Sequence, residues 1–181
     1  MDKEIKKLLR EGIIERAHGG QLTFVSPAHW VPKNKDETRF SHVTDLRHLN
    51  ESVVPDTSVF PSPARVMSMV KPNSSWFVVV DLLSGYHQIA IKDQDKHLFA
   101  FMLDEGKQGG VFVYTSAPMG FINSGHAFVN NLSLLLADLE LLSEVDDIFL
   151  EGESEDEVLK KFELLLQRCR KFNIKISRRK V

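Results

Sequence analysis

One stretch of the chain places two adjacent acids between apolar residues: Leu142-Ser143-Glu144-Val145-Asp146-Asp147-Ile148-Phe149-Leu150. A tight turn between two strands would let Asp146 and Asp147 project from one end of a hairpin. Because like charges held that close repel, such a pair needs a proton or a cation to neutralise it. Mg²⁺ binds through one or two carboxylates together with substrate phosphates. The stretch therefore predicts a site for a hard divalent cation, with Asp81 as the candidate third acid.

The composition is that of a globular protein. The chain has 181 residues, 43% of them apolar, and its longest apolar runs are too short to cross a bilayer. Its start carries charges without a following apolar core, so we expect no signal peptide. The one cysteine, Cys169, excludes an internal disulfide, fits a reducing compartment and is interpreted as a buried helix residue. The histidines show no zinc-ligand spacing with cysteine.

Acids and bases are unevenly distributed along the chain, although the net charge is only −2. Residues 138–157 include many acids and no Lys or Arg, whereas residues 165–181 include many bases and no acid. This arrangement suits a protein that holds metal ions in one place and phosphates in another. On charge alone, however, an acidic loop beside a solvated helix end is the favoured explanation.

The hydrophobic pattern predicts helices and strands without a regular β-α-β period, which indicates an α+β domain with an antiparallel sheet. Helices are expected at 2–11, 63–70 and 123–136, and another begins at the capping box Ser154–Glu157. Strands are expected at 24–32, 40–45, 76–81, 85–91, 98–102, 111–114 and 174–176, with the acidic hairpin at 144–151.

Asp81 ends the apolar run Trp76-Phe77-Val78-Val79-Val80, which is typical of a buried strand. Taken alone, its carboxylate is either a helix or turn cap or a metal ligand at a sheet edge. Asp146 and Asp147 stand beside another apolar strand, which favours the metal ligand. Three acids on adjacent strands can hold two Mg²⁺ ions, one activating a hydroxyl and the other neutralising a triphosphate and its leaving group. This chemistry is phosphoryl or nucleotidyl transfer.

Four segments follow one another along the chain: Asp45-Leu46-Arg47-His48-Leu49-Asn50, Asp81-Leu82-Leu83-Ser84-Gly85-Tyr86-His87-Gln88-Ile89, Ala117-Pro118-Met119-Gly120-Phe121-Ile122-Asn123-Ser124 and Glu144-Val145-Asp146-Asp147. In this order they closely resemble the fingers segment, motif A, motif B and the Tyr-x-Asp-Asp box of reverse transcriptases from LTR retrotransposons and retroviruses, in particular those of Ty3/gypsy-like elements. Residues 164–180 resemble the helix and basic strand of motif D. The resemblance covers nearly the whole chain.

The resemblance implies a right-hand polymerase of the α+β class, with an antiparallel palm sheet packed on helices. Residues 1–55 would form the first part of the fingers, and residues 56–181 the palm, with the remaining fingers segment near 87–115. The chain would end at motif D, before the primer grip, thumb and RNase H regions, so the thumb would be absent. The missing segments would belong to a parent polyprotein.

Site residues follow from the same resemblance. Asp81, Asp146 and Asp147 would be the catalytic metal ligands for two Mg²⁺ ions, with Mn²⁺ as a substitute. Tyr86 would be a steric gate that selects dNTP over rNTP by clashing with a 2′-OH; its alternative is an ordinary sheet aromatic. The other residues assigned to the dNTP site are Met119, Gly120, Phe121 and Gln88, with a solvated strand position as the alternative for Gln88.

The basic residues that would hold the triphosphate are less well matched. An ungapped match puts Asn34 and Ser41 at the family's basic positions, so a shifted hairpin would supply Lys35 and Arg39 instead; a solvated hairpin tip is their alternative. Lys180 falls at the position of a general acid for the departing pyrophosphate. Glu144 replaces the tyrosine of the Tyr-x-Asp-Asp box, where an added negative charge would weaken primer binding or bind another cation.

The resemblance thus implies an RNA-directed DNA polymerase core that adds dNTPs to a primer 3′-OH on an RNA or DNA template. It also implies a location in the cytoplasm or within a retroelement particle, without a membrane partner. The alternative is a truncated or domesticated remnant that binds nucleic acid or a partner without polymerising. A metal-dependent nuclease is a third option, which leaves Tyr86 and the motif B segment unexplained.

Overall fold

The chain divides into two compact units in a computed structural model, which describes residues 2–18, 20, 22–33, 40–58, 60, 62–103, 109–139 and 141–177. The first unit consists of residues 1–56 and 89–124, and the second of residues 57–88 and 125–181. No helix of the described ranges is both long and apolar enough to cross a membrane.

The first unit is built on a five-stranded sheet with the order β1-β6-β5-β2-β3. Its helices and strands are α1 (Asp2–Arg10), β1 (Ile14–Arg16), β2 (Val25–Pro32), β3 (Phe40–Thr44), α2 (Arg47–Glu51), β5 (Ala100–Leu103) and β6 (Gly110–Tyr114), with a 3₁₀ helix at Asp93–Leu98. Strands β2 and β5 are parallel, whereas the other neighbours are antiparallel. The predicted hairpin of strands near 24–32 and 40–45 is confirmed, but β1 and α2 were not predicted.

The core of the first unit combines sheet aromatics with aliphatic residues of the N-terminal helix and its neighbours. Fully buried members are Ile5, Ile14, Leu49, Phe101 and Phe112. Ile5 faces this core because apolar residues of α1 recur at helical spacing. The cluster keeps water from the sheet and fixes α2 beside it.

A polar cluster lies beside this core, with Thr44 and Tyr114 buried and His42 half-buried. The hydroxyl of Thr44 lies 3.0 Å from the hydroxyl of Tyr114 and 3.3 Å from Nε2 of His42. Burial disfavours the charged form of each titratable ring. It lowers the pKa of His42 to about 4 and raises the pKa of Tyr114 to about 12. Both rings are therefore neutral at pH 7.

The second unit packs helices on a three-stranded antiparallel sheet with the order β4-β8-β7. Its elements are α3 (Pro63–Ser68), β4 (Trp76–Asp81), a 3₁₀ helix at Gly85–Gln88, α4 (Ser124–Leu136), β7 (Leu142–Glu144), β8 (Asp147–Gly152) and α5 (Glu155–Lys171). The first residue of α4, Ser124, is counted with the first unit. Val80, Ile148 and Leu150 of the sheet are fully buried, as is Leu165 of α5. The sequence prediction of an antiparallel sheet packed on a helix is confirmed for this unit.

Helix α5 begins where the local sequence signals predicted it, after Ser154. Ser154 caps it by accepting a hydrogen bond from the Glu157 amide, as the capping box predicts. Acids occupy its first turn and bases its last, which complements the helix dipole. Its buried residues, Val158, Leu165 and Cys169, lie on one face. Burial raises the pKa of the Cys169 thiol, so this cysteine behaves as a small core residue, as expected.

Two strand predictions were wrong. Residues 85–88 form a 3₁₀ helix instead of a strand, and β5 pairs with β6 and β2, not with residues 85–91. The chain turns at Ser84, whose φ is 52°, and a Cβ on Gly85 would lie 3.0 Å from the ring of Phe128. This close packing favours glycine at position 85, and the hydrophobic pattern of residues 85–91 did not reveal it. Of the predicted strand at 174–176, only Ile176 forms a bridge, with Leu82.

Candidate active site

Three acids lie in one row across the sheet of the second unit. Asp147, the first residue of the central strand β8, pairs with Asp81 at the end of β4 and with Glu144 at the end of β7. Directly opposite residues of antiparallel strands project from the same face, with Cβ atoms about 4.5–5.5 Å apart. Asp81, Asp147 and Glu144 therefore form one row of side chains, called the carboxylate row below.

The carboxylate row projects away from the core of the unit. The next residues inward, Val80 and Ile148, are paired with each other and both fully buried on the opposite face. All three acids of the row are partly exposed. The strand alternation thus places apolar side chains in the core and the acids at its outer face.

Asp146 lies beside the row, in the two-residue turn between β7 and β8. It is exposed, and its carbonyl oxygen accepts a hydrogen bond from the Leu82 amide at 3.3 Å. Val145, the other turn residue, has a φ of 51°, which is costly for a β-branched side chain. The turn is therefore strained, and it is linked to the segment that follows Asp81.

The backbone of Asp81 is held on its other side by residues 175–177. The Ser177 amide donates to the Asp81 carbonyl oxygen at 2.8 Å, and the Leu83 amide donates to the Lys175 carbonyl oxygen at 2.9 Å. Asp81 is thus fixed between β8 and this C-terminal segment. Sequence reasoning missed Ser177, because only the tertiary structure brings residues so far apart in sequence together.

Gln88 joins the same two segments through its side-chain amide. Nε2 donates to the carbonyl oxygens of Leu83 at 2.8 Å and Lys175 at 2.9 Å, and Oε1 accepts from the Lys175 amide at 2.7 Å. Both donor hydrogens of the amide are therefore used by the backbone. This geometry makes Gln88 a brace for the segment behind Asp81, and its predicted contact with a dNTP stays a prediction.

Tyr86 is seated against helix α4. Its ring meets the ring of Phe128 edge to face, with centroids 5.6 Å apart and an interplanar angle of 80°, a favoured arrangement of aromatic pairs. A Cβ on Gly125 would lie 3.9 Å from the Tyr86 hydroxyl. Phe128 and Gly125, which sequence reasoning did not single out, therefore define the seat of this ring.

Met119, Gly120 and Phe121 belong to the first unit, in the loop before α4. Met119 is 70% exposed. Gly120 has a φ of 89°, a conformation that favours glycine. Phe121 packs edge to face on Phe99, with centroids 4.9 Å apart. The loop thus presents a methionine side chain beside an anchored aromatic ring.

The predicted basic residues Lys35, Arg39 and Lys180 lie outside the described residues. Lys33, before the hairpin tip, forms an ion pair with Glu4 at 3.3 Å. Within the ranges that the structure describes, no three His, Cys, Asp or Glu side chains converge as a ready-made metal site. The donor chemistry nevertheless suits a hard cation, because acids of like charge face one another across the strands and oxygen is the ligand such ions prefer.

Comparisons with known proteins identify the family of the chain. The profile of the family described as "Reverse transcriptase (RNA-dependent DNA polymerase)" matches residues 31–181. The Gag-Pol polyprotein of walleye dermal sarcoma virus is 32% identical over 183 residues, which cover 98% of this chain and 10% of the polyprotein. The retrovirus-related Pol polyprotein from transposon gypsy of Drosophila melanogaster is 27% identical over 99% of this chain and 17% of its own length.

A solved structure matches as well. The prototype foamy virus protease–reverse transcriptase aligns with a TM-score of 0.78 and 26% identity, over 96% of this chain and 22% of that protein. The predicted α+β fingers–palm fold is thereby confirmed. The chain spans only 10% to 17% of the length of the two curated relatives above.

Proposed function

This chain belongs to the reverse transcriptase (RNA-dependent DNA polymerase) family of LTR retroelements and retroviruses, and from that premise we propose that it extends a primer 3′-OH with dNTPs on an RNA or DNA template. In this proposal the second unit is the palm and the first contributes the fingers. The observation that carries the proposal is the pairing of Asp81 with Asp147, next to the turn residue Asp146.

Asp81, Asp146 and Asp147 are the residues that would hold two Mg²⁺ ions, with Mn²⁺ as a substitute. Bound there, the ions supply activation of the attacking hydroxyl and neutralisation of the triphosphate. The chain's own contribution is to fix the carboxylates. Asp81 and Asp147 stand on paired strands, and the Ser177 amide holds the Asp81 backbone. Such preorganisation and positioning supply most of the catalysis in nucleotidyl transfer, since the protein forms no covalent intermediate.

Nucleotide selection is assigned to Tyr86 and to the loop of Met119, Gly120 and Phe121. Packing on Phe128 restricts the Tyr86 ring, so that it would resist displacement by a ribose 2′-OH. The exposed Met119 side chain would give an apolar contact to the nucleotide. Lys35 and Arg39 remain proposed triphosphate ligands, and Lys180 the proposed general acid. Gln88 would act by bracing the Asp81 segment.

The test is primer extension by the chain with a primer–template, dNTPs, and Mg²⁺ or Mn²⁺. We expect a lengthened primer, and we expect Asp81→Asn or Asp146→Asn to abolish extension while circular dichroism and the unfolding midpoint show an intact fold. Glu163→Gln, which changes an exposed acid on α5, is the matched control and should extend normally. Full activity in either aspartate variant would refute the metal-ligand assignment, and a shortened primer would indicate a nuclease.

Tyr86 has a separate test. Tyr86→Val removes the ring and its contact with Phe128, so incorporation of rNTP relative to dNTP should rise by at least about tenfold, the effect of losing roughly 1.4 kcal/mol of discrimination. An unchanged ratio would assign Tyr86 to packing alone.

A further inference from the structure

The loop that carries Met119 and Gly120 has little backbone support of its own. It joins β6 to α4, and after the bridge between Ala90 and Ser116 it forms no strand pairing. Pro118 is fully buried and Phe121 packs on Phe99, but between them a Cβ on Gly120 would meet nothing within 4 Å. The conformation of the turn at Gly120 therefore depends on contacts other than packing at Gly120 itself.

One such contact is a clamp by the side-chain amide of Asn50, which lies on α2. Its Nδ2 donates to the Gly120 carbonyl oxygen at 2.9 Å, and its Oδ1 accepts from the Ile122 amide at 3.0 Å. The two bonds fix the orientation of the amide, because exchanging its oxygen and nitrogen would lose both. Asn50 thereby holds the backbone on both sides of Phe121.

A second asparagine, Asn123 of the loop, binds in turn the backbone of the segment that follows α2. Asn123 accepts from the Asp56 amide at 2.8 Å and donates to the Val54 carbonyl oxygen at 3.0 Å. The Ser124 hydroxyl donates to the Pro118 carbonyl oxygen at 2.8 Å and closes the loop on itself. Two segments about 70 residues apart in sequence are thus joined by two reciprocal amide clamps.

We propose that Asn50 and Asn123 are positioning residues for nucleotide binding, which hold the Met119–Gly120 turn in its binding conformation. This inference rests on the proposed function, in which that turn contacts the nucleotide. Met119 is mostly exposed, so its direction depends on the backbone turn more than on packing. Loss of Asn50 leaves a carbonyl and an amide without their partners and frees the turn to move.

The first measurement is amide hydrogen exchange, which needs no activity. Asn50→Ala should accelerate exchange at the Ile122 amide, whereas Asn123→Ala should accelerate it at the Asp56 amide. Asn50→Asp keeps the oxygen that accepts from Ile122 and removes the donor to Gly120, so exchange at Ile122 should stay slow. Unchanged exchange at Ile122 in Asn50→Ala would overturn the clamp. Asn131→Ala, which removes only a bond to Ala127 within α4, is the control.

The second measurement is primer extension at varied dNTP concentration. Asn50→Ala should raise the KM for dNTP by about tenfold, as expected for roughly 1.4 kcal/mol of lost binding, with affinity for the primer–template unchanged. Asn50→Asp should give a smaller rise, and Asn131→Ala none. A KM equal to that of the parent chain in Asn50→Ala, or an equal loss of primer–template affinity, would overturn the positioning role. Failure of the Asp81→Asn and Asp146→Asn test would leave the exchange result standing, so the two proposals can fail separately.

Discussion

Asp147→Asn is expected to stabilise the second unit, and to do so about twice as strongly as Glu144→Gln. The charge of Asp147 takes part in two cross-strand pairs of the carboxylate row, with Asp81 and with Glu144, whereas the charge of Glu144 takes part in one. Two unit charges about 5 Å apart in water repel by about 0.8 kcal/mol, and opposed like charges in sheets cost roughly 0.2–1 kcal/mol. We therefore expect gains of about 1 kcal/mol for Asp147→Asn and about 0.5 kcal/mol for Glu144→Gln.

The assay is urea unfolding at low salt and in 1 M NaCl. Salt at about 1 M shortens the Debye length to roughly 3 Å, so both gains should shrink there. Glu163→Gln, with its exposed acid on α5, should change the free energy of unfolding by less than about 0.5 kcal/mol. Equal gains for Asp147→Asn and Glu144→Gln, or gains that persist in high salt, would refute the electrostatic reasoning. Because the proposed primer extension also depends on Asp147, Asp147→Asn would exchange this function for stability.

Further predictions concern the half-buried His42, the strained turn at Val145 and the core. Burial lowers the pKa of His42 to about 4, below the value of about 6.5 in the unfolded chain. The contribution of the neutral ring to the free energy of unfolding should therefore be complete above about pH 6.5 and should fall by roughly 2–3 kcal/mol as the pH drops towards 4. His42→Phe should flatten this dependence in acid titrations of stability; an unchanged slope would contradict it. Val145→Asn should raise the unfolding free energy by about 1 kcal/mol, because asparagine tolerates a positive φ; a loss of stability would show that the turn is not strained. Leu165→Ala should cost about 2–5 kcal/mol in denaturant unfolding, whereas Leu164→Ala, at a position 50% exposed, should cost far less. Similar losses of unfolding free energy in the two variants would contradict the assignment of Leu165 to the buried face of α5.

Much of the second unit could be predicted from local patterns. The strand at 76–81, the helix that begins after Ser154 and the acidic hairpin all appear where the sequence indicated them. Each has a signal confined to a few neighbouring residues, such as an apolar run, a capping box or a pair of acids between apolar residues.

The wrong assignments have a different physical cause. Residues 85–88 were predicted as the start of a strand, but they form a 3₁₀ helix in which the ring of Phe128 packs closely on Gly85. The parallel pairing of β2 with β5 likewise depends on contacts between segments far apart in the sequence. Local propensity is a weak signal wherever such packing decides the conformation.

By itself the sequence indicated the family, the acids of the candidate site and most of the elements that carry them. Motif order and hydrophobic period are written in the residues themselves, and they do not depend on long-range contacts. Only the tertiary structure decided that Asp147 stands between Asp81 and Glu144, that Gln88 braces the backbone behind Asp81, and that Asn50 holds the Gly120 turn. Register and amide orientation are set by partners distant along the chain, because a side chain's hydrogen bonds depend on which groups folding brings within about 3 Å of it.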